Sequence, residues 1–342
     1  MSGLQIPPRS NSNGSTGTDC QPTAEPEMNI FQELIYTLKN IVVAFAVSIF
    51  RFFVPPARKS VNDEIVLITG SGNGMGRQLS IEFAKLGAIV VLCDYDKNSN
   101  EETQRLIKEN GGQSYSYTCD VSDRSAVYRM GDQIRKDVGH VTILINNAGI
   151  VTGKSLLECP DDLIEKTFNV NLLAQFWTVK CFLPDMLKKN HGHIVNMASS
   201  TGLIGIKKLT DYSASKFGVV GFTEVLNYEI VFSGYDGVHT TLLCPSFTQT
   251  EMFKGCQMRF PWVIPPLKTE ETVATIMQGI LTNQYEVCIP RLVYIFSVLK
   301  TMLPVECMLE IIKFFGASDF MENYVGRHKP DETITSNGVF NK

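Results

Sequence analysis

Tyr212 and Lys216 stand four residues apart, a spacing that places both side chains on one face of a helix. A nearby ammonium group stabilises a phenolate, so this spacing predicts a lowered pKa for the Tyr212 phenol. A phenol tuned in this way transfers a proton to or from a reacting oxygen. The pair therefore predicts interconversion of an alcohol and a carbonyl, with Tyr212 moving the proton and Lys216 tuning it.

Ser199 follows a predicted strand at residues 193–197 and precedes the Tyr212 helix. Open α/β sheets bind ligands beyond the carboxyl ends of their strands. The Ser199 hydroxyl is therefore expected to hold the substrate oxygen while Tyr212 moves the proton.

A glycine-rich run lies between a predicted strand at 65–69 and a predicted helix at 75–86. Glycines here permit a tight turn and let backbone N–H groups approach a pyrophosphate at the positive end of the helix. Such runs also occur as plain loops, but a position between strand and helix favours phosphate binding. The predicted cofactor-binding residues of the run are Gly70, Ser71, Gly72, Asn73, Gly74, Met75 and Gly76.

Asp94 follows the second predicted strand, 89–93, where a carboxylate accepts the ribose hydroxyls of adenosine and repels a 2′-phosphate. We therefore expect NAD rather than NADP. Lys97 is close enough in sequence to complicate that choice. The alternative role for Asp94 is to cap a turn.

Further polar clusters follow the third and fourth predicted strands and lie within the next long helix. They are Asp120 with Val121, then Asn146, Asn147, Ala148 and Gly149, and then Asn171. In order with the glycine run, Ser199 and the Tyr212–Lys216 pair, they closely resemble the motifs of the short-chain dehydrogenase/reductase family over residues 62–290.

The resemblance implies a nicotinamide cofactor whose ribose contacts Tyr212 and Lys216. It also implies that Asn171 fixes a water linking Lys216 to solvent, and that Thr250 contacts the carboxamide. Ser246 departs from the family pattern, which usually has glycine after Pro245. The further cofactor-binding residues that it implies are Asp120, Val121, Asn147, Ala148, Gly149, Pro245 and Thr250.

A narrower resemblance, carried by the N-terminal apolar segment and residues 143–154, is to the epidermal retinol dehydrogenase group. Membrane-bound 17-beta-hydroxysteroid dehydrogenases of the endoplasmic reticulum and lipid droplets are close to it. The resemblance implies oxidation of retinol or of a hydroxysteroid. The alternative from another class is a catalytically silent, cofactor-binding coat protein, against which the intact Asn171, Ser199, Tyr212 and Lys216 argue.

Short β-rich runs alternate with helical stretches, which predicts one doubly wound α/β (Rossmann) domain at residues 62–290. Its seven strands form a parallel sheet covered by helices on both faces. The strands are predicted at 65–69, 89–93, 114–119, 142–146, 193–197, 239–243 and 286–289.

The apolar segment 30–54 is predicted to be a membrane anchor, either a short span or an interfacial helix, with a core helix as the alternative. Arg58 and Lys59 after it favour a catalytic domain facing the cytosol. Residues 1–28 are predicted to be disordered and 327–342 to form a polar tail. The apolar helical extension 291–326 is a second membrane-facing helix, a lid or a core helix.

Residues 250–267 are apolar where the family covers its substrate, which favours a lipophilic substrate. The side chains concerned are Met252, Phe253, Met258, Phe260, Trp262, Val263 and Ile264. With the anchor, they indicate a protein of the endoplasmic reticulum membrane or a lipid droplet.

The chain has 342 residues and a net charge of −4, which gives no reason to expect nucleic-acid binding. Nine scattered cysteines form no Cys-x-x-Cys pair, and His191 and His193 lack a neighbouring cysteine or carboxylate in sequence. We therefore expect buried thiols, solvated histidines and no metal site. A homodimer is expected by analogy alone.

Overall fold

The computed structural model describes residues 29–54 and 56–326. The chain divides into two compact units, Met1–Lys59 and Ser60–Lys342, which are taken separately below. The disordered N terminus predicted at 1–28 and the polar tail predicted at 327–342 lie outside the described residues.

The first unit contains helix α1, Ile30–Phe53, which begins in a capping box formed by Asn29 and Gln32. Its segment Ile30–Arg51 is long and apolar enough to cross a membrane, with a mean hydropathy of 1.6. No part of that segment's most apolar window is buried. A core helix would be mostly buried, unlike this one. The membrane anchor at residues 30–54 stays a prediction.

The second unit is built on a seven-stranded sheet in the order β3-β2-β1-β4-β5-β6-β7. Every neighbouring pair is parallel, which confirms the predicted doubly wound fold. The predicted strands agree with the observed ones to within two residues at each end. The strands are β1 (Ile65–Thr69), β2 (Ile89–Asp94), β3 (Gln113–Thr118), β4 (Ile143–Asn146), β5 (Gly192–Met197), β6 (Val238–Pro245) and β7 (Glu286–Ile289).

Helices cover both faces of this sheet and bury two apolar cores. One core contains Leu79, Phe83 and Ile276, and the other contains Ile134 and Phe182. The helices are α2 (Gly74–Lys85), α3 (Lys97–Glu109), α4 (Arg124–Asp137), α5 (Asp161–Phe168), α6 (Ala174–Lys189), α7 (Thr210–Phe232), α8 (Thr269–Leu281), α9 (Leu292–Met302) and α10 (Val305–Phe314).

The strand order reverses between β1 and β4, so a crevice opens beyond their carboxyl ends. The glycine run leaves β1 at this point, and Asn147 follows β4. The topology thus brings the predicted cofactor residues to one edge of the sheet.

Three local features differ from the sequence-based expectations. Asn171 lies in a π-helical segment, Asn169–Leu173, between α5 and α6 rather than in a regular helix. The C-terminal apolar run is two helices, because Pro304 precedes α10 and cannot continue α9. His193 is buried in β5, where its Nε2 is 2.8 Å from Thr241 Oγ1, so the expectation of a solvated side chain was wrong.

Candidate active site

A cavity of about 700 Å³ lies along the carboxyl ends of the central strands. Most of the predicted site residues line it, although they come from separate parts of the chain. Ser71, Gly72 and Asn171 do not line it. The predicted residues that do are Gly70, Asn73, Gly74, Met75, Gly76, Asp94, Asp120, Val121, Asn147, Ala148, Gly149, Ser199, Tyr212, Lys216, Pro245 and Thr250.

The glycine run closes a tight turn at one end of this cavity. A Cβ on Gly76 would lie only 2.1 Å from Gly70 O and 2.6 Å from Asn147 Nδ2, so only glycine fits there. The Asn73 side chain makes no capping hydrogen bond to α2. Backbone N–H groups at the start of α2 thus face the cavity with the positive end of the helix dipole, an arrangement that fits a pyrophosphate.

Asp94 both lines the cavity and holds the glycine turn. Its Oδ2 accepts a hydrogen bond from Gly72 N at 2.8 Å, and its Oδ1 accepts one from Asp96 N at 2.9 Å. Ser71 has a supporting place, since its Oγ donates to Asn100 Oδ1 at 2.6 Å. A carboxylate has about four acceptor positions, so these contacts leave Asp94 able to accept from ribose hydroxyls.

Lys97 does not face the cavity. Its ammonium lies 3.7 Å from Glu101 Oε1 on the exposed side of α3. Among the described residues, the lysines and arginines lining the cavity are Lys166 and Lys216. The acidic residues that line it, among those described, are Asp94 and Asp120.

The side chains predicted to be catalytic, Ser199, Tyr212 and Lys216, lie between β5 and α7. Tyr212 is 5% exposed and lies beside the Ser199 hydroxyl. Ser199 Oγ also accepts from Thr201 Oγ1 at 3.0 Å, which fixes its position. Lys216 is 2% exposed, and its Nζ donates to Met197 O at 2.7 Å and lies 5.6 Å from the centre of the Tyr212 ring.

Burial governs the proton affinity of this pair. It raises the pKa of Tyr212 to about 12, with the neighbouring Ser199 hydroxyl acting in the opposite direction. It also lowers the pKa of Lys216 to about 8. The predicted lowering of the Tyr212 pKa was therefore wrong in direction, because the spacing rule neglects the cost of burying a charge.

The Asn171 side chain hydrogen-bonds to the backbone of Ile150, a residue that lines the cavity. Its Oδ1 accepts from Ile150 N at 2.8 Å, and its Nδ2 donates to Ile150 O at 3.0 Å. A Cβ on Gly149 would lie 3.4 Å from Asn171 Oδ1 and 3.7 Å from Lys216 Nζ. Both side chains thus border the space beside Gly149, and the water relay stays a prediction.

The Lys216 pKa predicts a specific dependence of stability on pH. Above about pH 8 the folded chain loses this proton while the unfolded chain keeps it up to its usual pKa of 10.5. The unfolded state then binds more protons, so the stability contributed by Lys216 rises with pH across that window. We expect the urea midpoint of the detergent-solubilised wild type to rise relative to that of Lys216→Met between about pH 7 and pH 10. If the difference between the urea midpoints of the two proteins were the same at pH 7 and at pH 10, the lowered pKa of Lys216 would be contradicted.

The other end of the cavity is lined by apolar side chains. Of the seven apolar residues predicted at 250–267, the cavity is lined by Met252, Phe253, Met258 and Ile264. The C-terminal helices add Leu292, Val293 and Phe296 from α9 and Met308, Ile311 and Ile312 from α10. Their inner faces therefore act as part of the cavity wall, which agrees with the lid alternative for residues 291–326.

Several contributors to the site carried no recognised sequence signal. Phe320 and Tyr324 come from the segment after α10, and Tyr324 Oη donates to Val151 O at 3.1 Å. Asp211 is buried beside Tyr212 and accepts from the hydroxyls of Thr152 and Thr167, each at 2.9 Å at its Oδ2. The sequence did place an acidic residue directly before Tyr212, in the first turn of α7, and that position could have predicted the hydrogen bonds of Asp211.

The fold brings histidine and cysteine residues close to carboxylates that are distant in sequence. The fold brings Glu64 to within 3.0 Å of His191 Nε2, a carboxylate partner that lies far away in sequence. Within the described residues, Cys244, Glu286 and Cys288 form a group whose ligand atoms lie within 4.8 Å of one another. Within this group the Cys288 thiol donates a hydrogen bond to Glu286 Oε1 at 3.1 Å.

Comparison with known proteins gives concordant matches. A family model described as short chain dehydrogenase matches residues 64–258. Epidermal retinol dehydrogenase 2 of Mus musculus is 44% identical over 297 residues, covering 86% of this chain and 96% of that protein. Retinol dehydrogenase 10 of Homo sapiens is 43% identical over 329 residues, covering 88% and 96%. A crystal structure of a short chain dehydrogenase/reductase from Burkholderia phymatum in complex with NAD is 26% identical, with a TM-score of 0.65 over 71% of this chain and 94% of that chain.

Proposed function

The chain belongs to the short-chain dehydrogenase family, and on that premise we propose that it is a membrane-associated enzyme that oxidises retinol to retinal with NAD. One observation carries the proposal. Tyr212, Ser199 and Lys216 line a cavity that has a glycine turn and Asp94 at one end and apolar side chains at the other. The reactive groups thus stand between a nucleotide site and a lipophilic site.

The residues of the chain divide the reaction among them. A bound nicotinamide supplies hydride chemistry, accepting hydride from the alcohol carbon or returning it to the carbonyl. The N–H groups of Gly74 and Met75 and the carboxylate of Asp94 would hold its dinucleotide. Ser199 holds the substrate oxygen by a hydrogen bond, and Tyr212 takes the hydroxyl proton as general base.

Lys216 makes that proton transfer feasible. In the protonated form its ammonium favours the Tyr212 phenolate, which burial alone disfavours. Met197 O fixes the ammonium in place. Asn171, which lies beside the same space at Gly149, would hold the water through which the proton reaches solvent.

A lipophilic alcohol suits the other end of the cavity. Its lining offers apolar contacts from α9, α10 and residues 252–264, which favour burial of a hydrocarbon. The names of the two relatives favour retinol within this class. A turnover screen of retinol, hydroxysteroids and fatty alcohols with NAD and NADP in membranes tests this proposal. Retinol as the best substrate supports it, and a preferred hydroxysteroid or no turnover at all contradicts it.

The choice of NAD rests on Asp94 and gives a second prediction. Asp94→Asn keeps an acceptor for Gly72 N but removes the charge that repels a 2′-phosphate. We expect the preference for NAD over NADP to fall about tenfold, roughly the difference between charged and neutral hydrogen bonds. Cofactor titrations by fluorescence measure both dissociation constants. Lys97→Ala is the control, since this side chain points away from the cavity, and an equal change in that variant would contradict the assignment.

The anchor role of α1 is part of the same proposal. Its apolar, exposed surface suits a bilayer, and Arg58 with Lys59 favours a catalytic unit facing the cytosol from the endoplasmic reticulum or a lipid droplet. The sequence has one N-glycosylation sequon, at Asn13, which lies outside the described residues. A glycosidase-sensitive mobility shift would indicate a spanning α1 with a lumenal N terminus, whereas an interfacial helix leaves Asn13 unmodified.

A further inference from the structure

A chain of aromatic rings runs from the protein surface into the cavity wall. We call Phe260, Trp262, Phe296, Phe314 and Phe315 the aromatic cluster. The ring centre of Phe260 lies 6.1 Å from that of Trp262 and 5.3 Å from that of Phe314. Phe315 is 5.2 Å from Phe314 and 5.2 Å from Phe296. The outer rings, Trp262 and Phe314, are 82% and 60% exposed, whereas Phe296 and Phe315 line the cavity.

The helices that carry these rings have a second apolar face. On α9, Ile295, Val298 and Met302 recur at helical spacing and are exposed. On α10, Val305 and Leu309 are exposed in the same way. Since the opposite faces of both helices line the cavity, the outer faces are not needed for the core of this unit. Exposed apolar surface of this extent marks a binding surface.

Basic groups border the aromatic cluster. The Arg259 guanidinium stacks over Phe260 at 5.1 Å and donates to the carbonyl oxygens of Lys313 and Phe314. Lys313 is exposed and lies 3.8 Å from Glu310. Tryptophan and basic side chains at the edge of an apolar patch are typical of the boundary between lipid headgroups and acyl chains.

We propose that the aromatic cluster and the exposed faces of α9 and α10 dock on a phospholipid bilayer and form the entrance through which the substrate leaves the membrane for the cavity. The inference rests on the proposed function in taking the substrate to be a lipophilic alcohol. A bilayer is favoured over a second copy of the chain because the rings lead directly into the apolar cavity. The apolar, exposed α1 independently indicates that this chain works beside lipid.

The two tryptophans of the chain permit a direct test. Trp177 is half-buried under Arg124, and Trp262 is the exposed one. The full-length chain is reconstituted into phosphatidylcholine–phosphatidylserine vesicles that contain lipids brominated on the acyl chain. We expect bromolipid to quench wild-type tryptophan fluorescence substantially more than that of Trp262→Phe. Equal fractional quenching in the two proteins overturns the proposal. The proposal is also overturned if Trp262 becomes shielded only when the protein-to-lipid ratio is raised, because a second copy of the chain would then cover it.

Turnover supplies a second readout. Phe314→Ser should raise the apparent KM for an alcohol dissolved in the bilayer while leaving kcat, and the KM for a short water-soluble alcohol, unchanged. Leu157→Ser, at an exposed position outside the cluster, is the matched control. Equal KM values for Phe314→Ser and Leu157→Ser would overturn the entrance role. Quenching does not require turnover, so a failed substrate screen with intact Trp262 quenching would sink the proposed function and leave the docking surface standing.

Discussion

Tyr212→Phe is expected to lower kcat for alcohol oxidation by about 10²- to 10⁴-fold, the usual contribution of a general base. The phenol is the group that we propose takes the substrate proton, and it is 5% exposed, so water cannot readily substitute for it. Removing one hydroxyl leaves the ring packed against Leu209 and Phe320. Cofactor affinity should therefore change little. Steady-state rates together with a fluorescence titration of NAD measure the two effects separately.

The matched control for this substitution is Tyr294→Phe. Burial also raises the pKa of Tyr294 to about 12, but its hydroxyl donates to Glu286 O at 2.8 Å and does not line the cavity. The same hydroxyl also accepts from Cys288 N at 3.2 Å, so the substitution removes two hydrogen bonds. We expect a stability loss of about 1–3 kcal/mol, with turnover unchanged. Comparable loss of kcat in both variants, or full activity in Tyr212→Phe, would refute the assigned mechanism.

Gly76→Ala is expected to weaken NAD binding by about tenfold or more. The added Cβ would lie 2.1 Å from Gly70 O, a backbone atom that cannot rotate away. The turn and the start of α2 must separate, which costs about 1–3 kcal/mol of stability as overpacking. The same displacement moves the N–H groups that would face the pyrophosphate. We therefore expect NAD affinity to fall by about tenfold or more, measured by calorimetric titration.

Gly221→Ala is the control for a methyl group added to a helix. Gly221 lies in α7, and a Cβ there meets nothing within 4 Å. Alanine should stabilise the helix by about 0.5–1 kcal/mol without changing NAD affinity. If Gly76→Ala bound NAD as tightly as Gly221→Ala, the glycine turn would not be the phosphate site.

The fold was largely predictable from local patterns. Short β-rich runs between helical stretches predicted all seven strands, because period and length reflect how each segment is buried. The glycine run predicted a tight turn at the start of α2, and the Tyr212–Lys216 spacing predicted two side chains on one face of α7. Each is a short-range arrangement whose geometry follows from the backbone alone.

The sequence by itself thus determined the doubly wound sheet, the candidate site residues and the apolar segments at both ends. The tertiary structure decided which of these meet. It brought Tyr324 and α9 to the cavity, buried His193, accommodated Ser246 without a positive φ, and raised the pKa of Tyr212 where spacing predicted a fall. Burial depends on contacts between residues far apart in sequence, and it sets both the shape of the cavity and the cost of a charge within it.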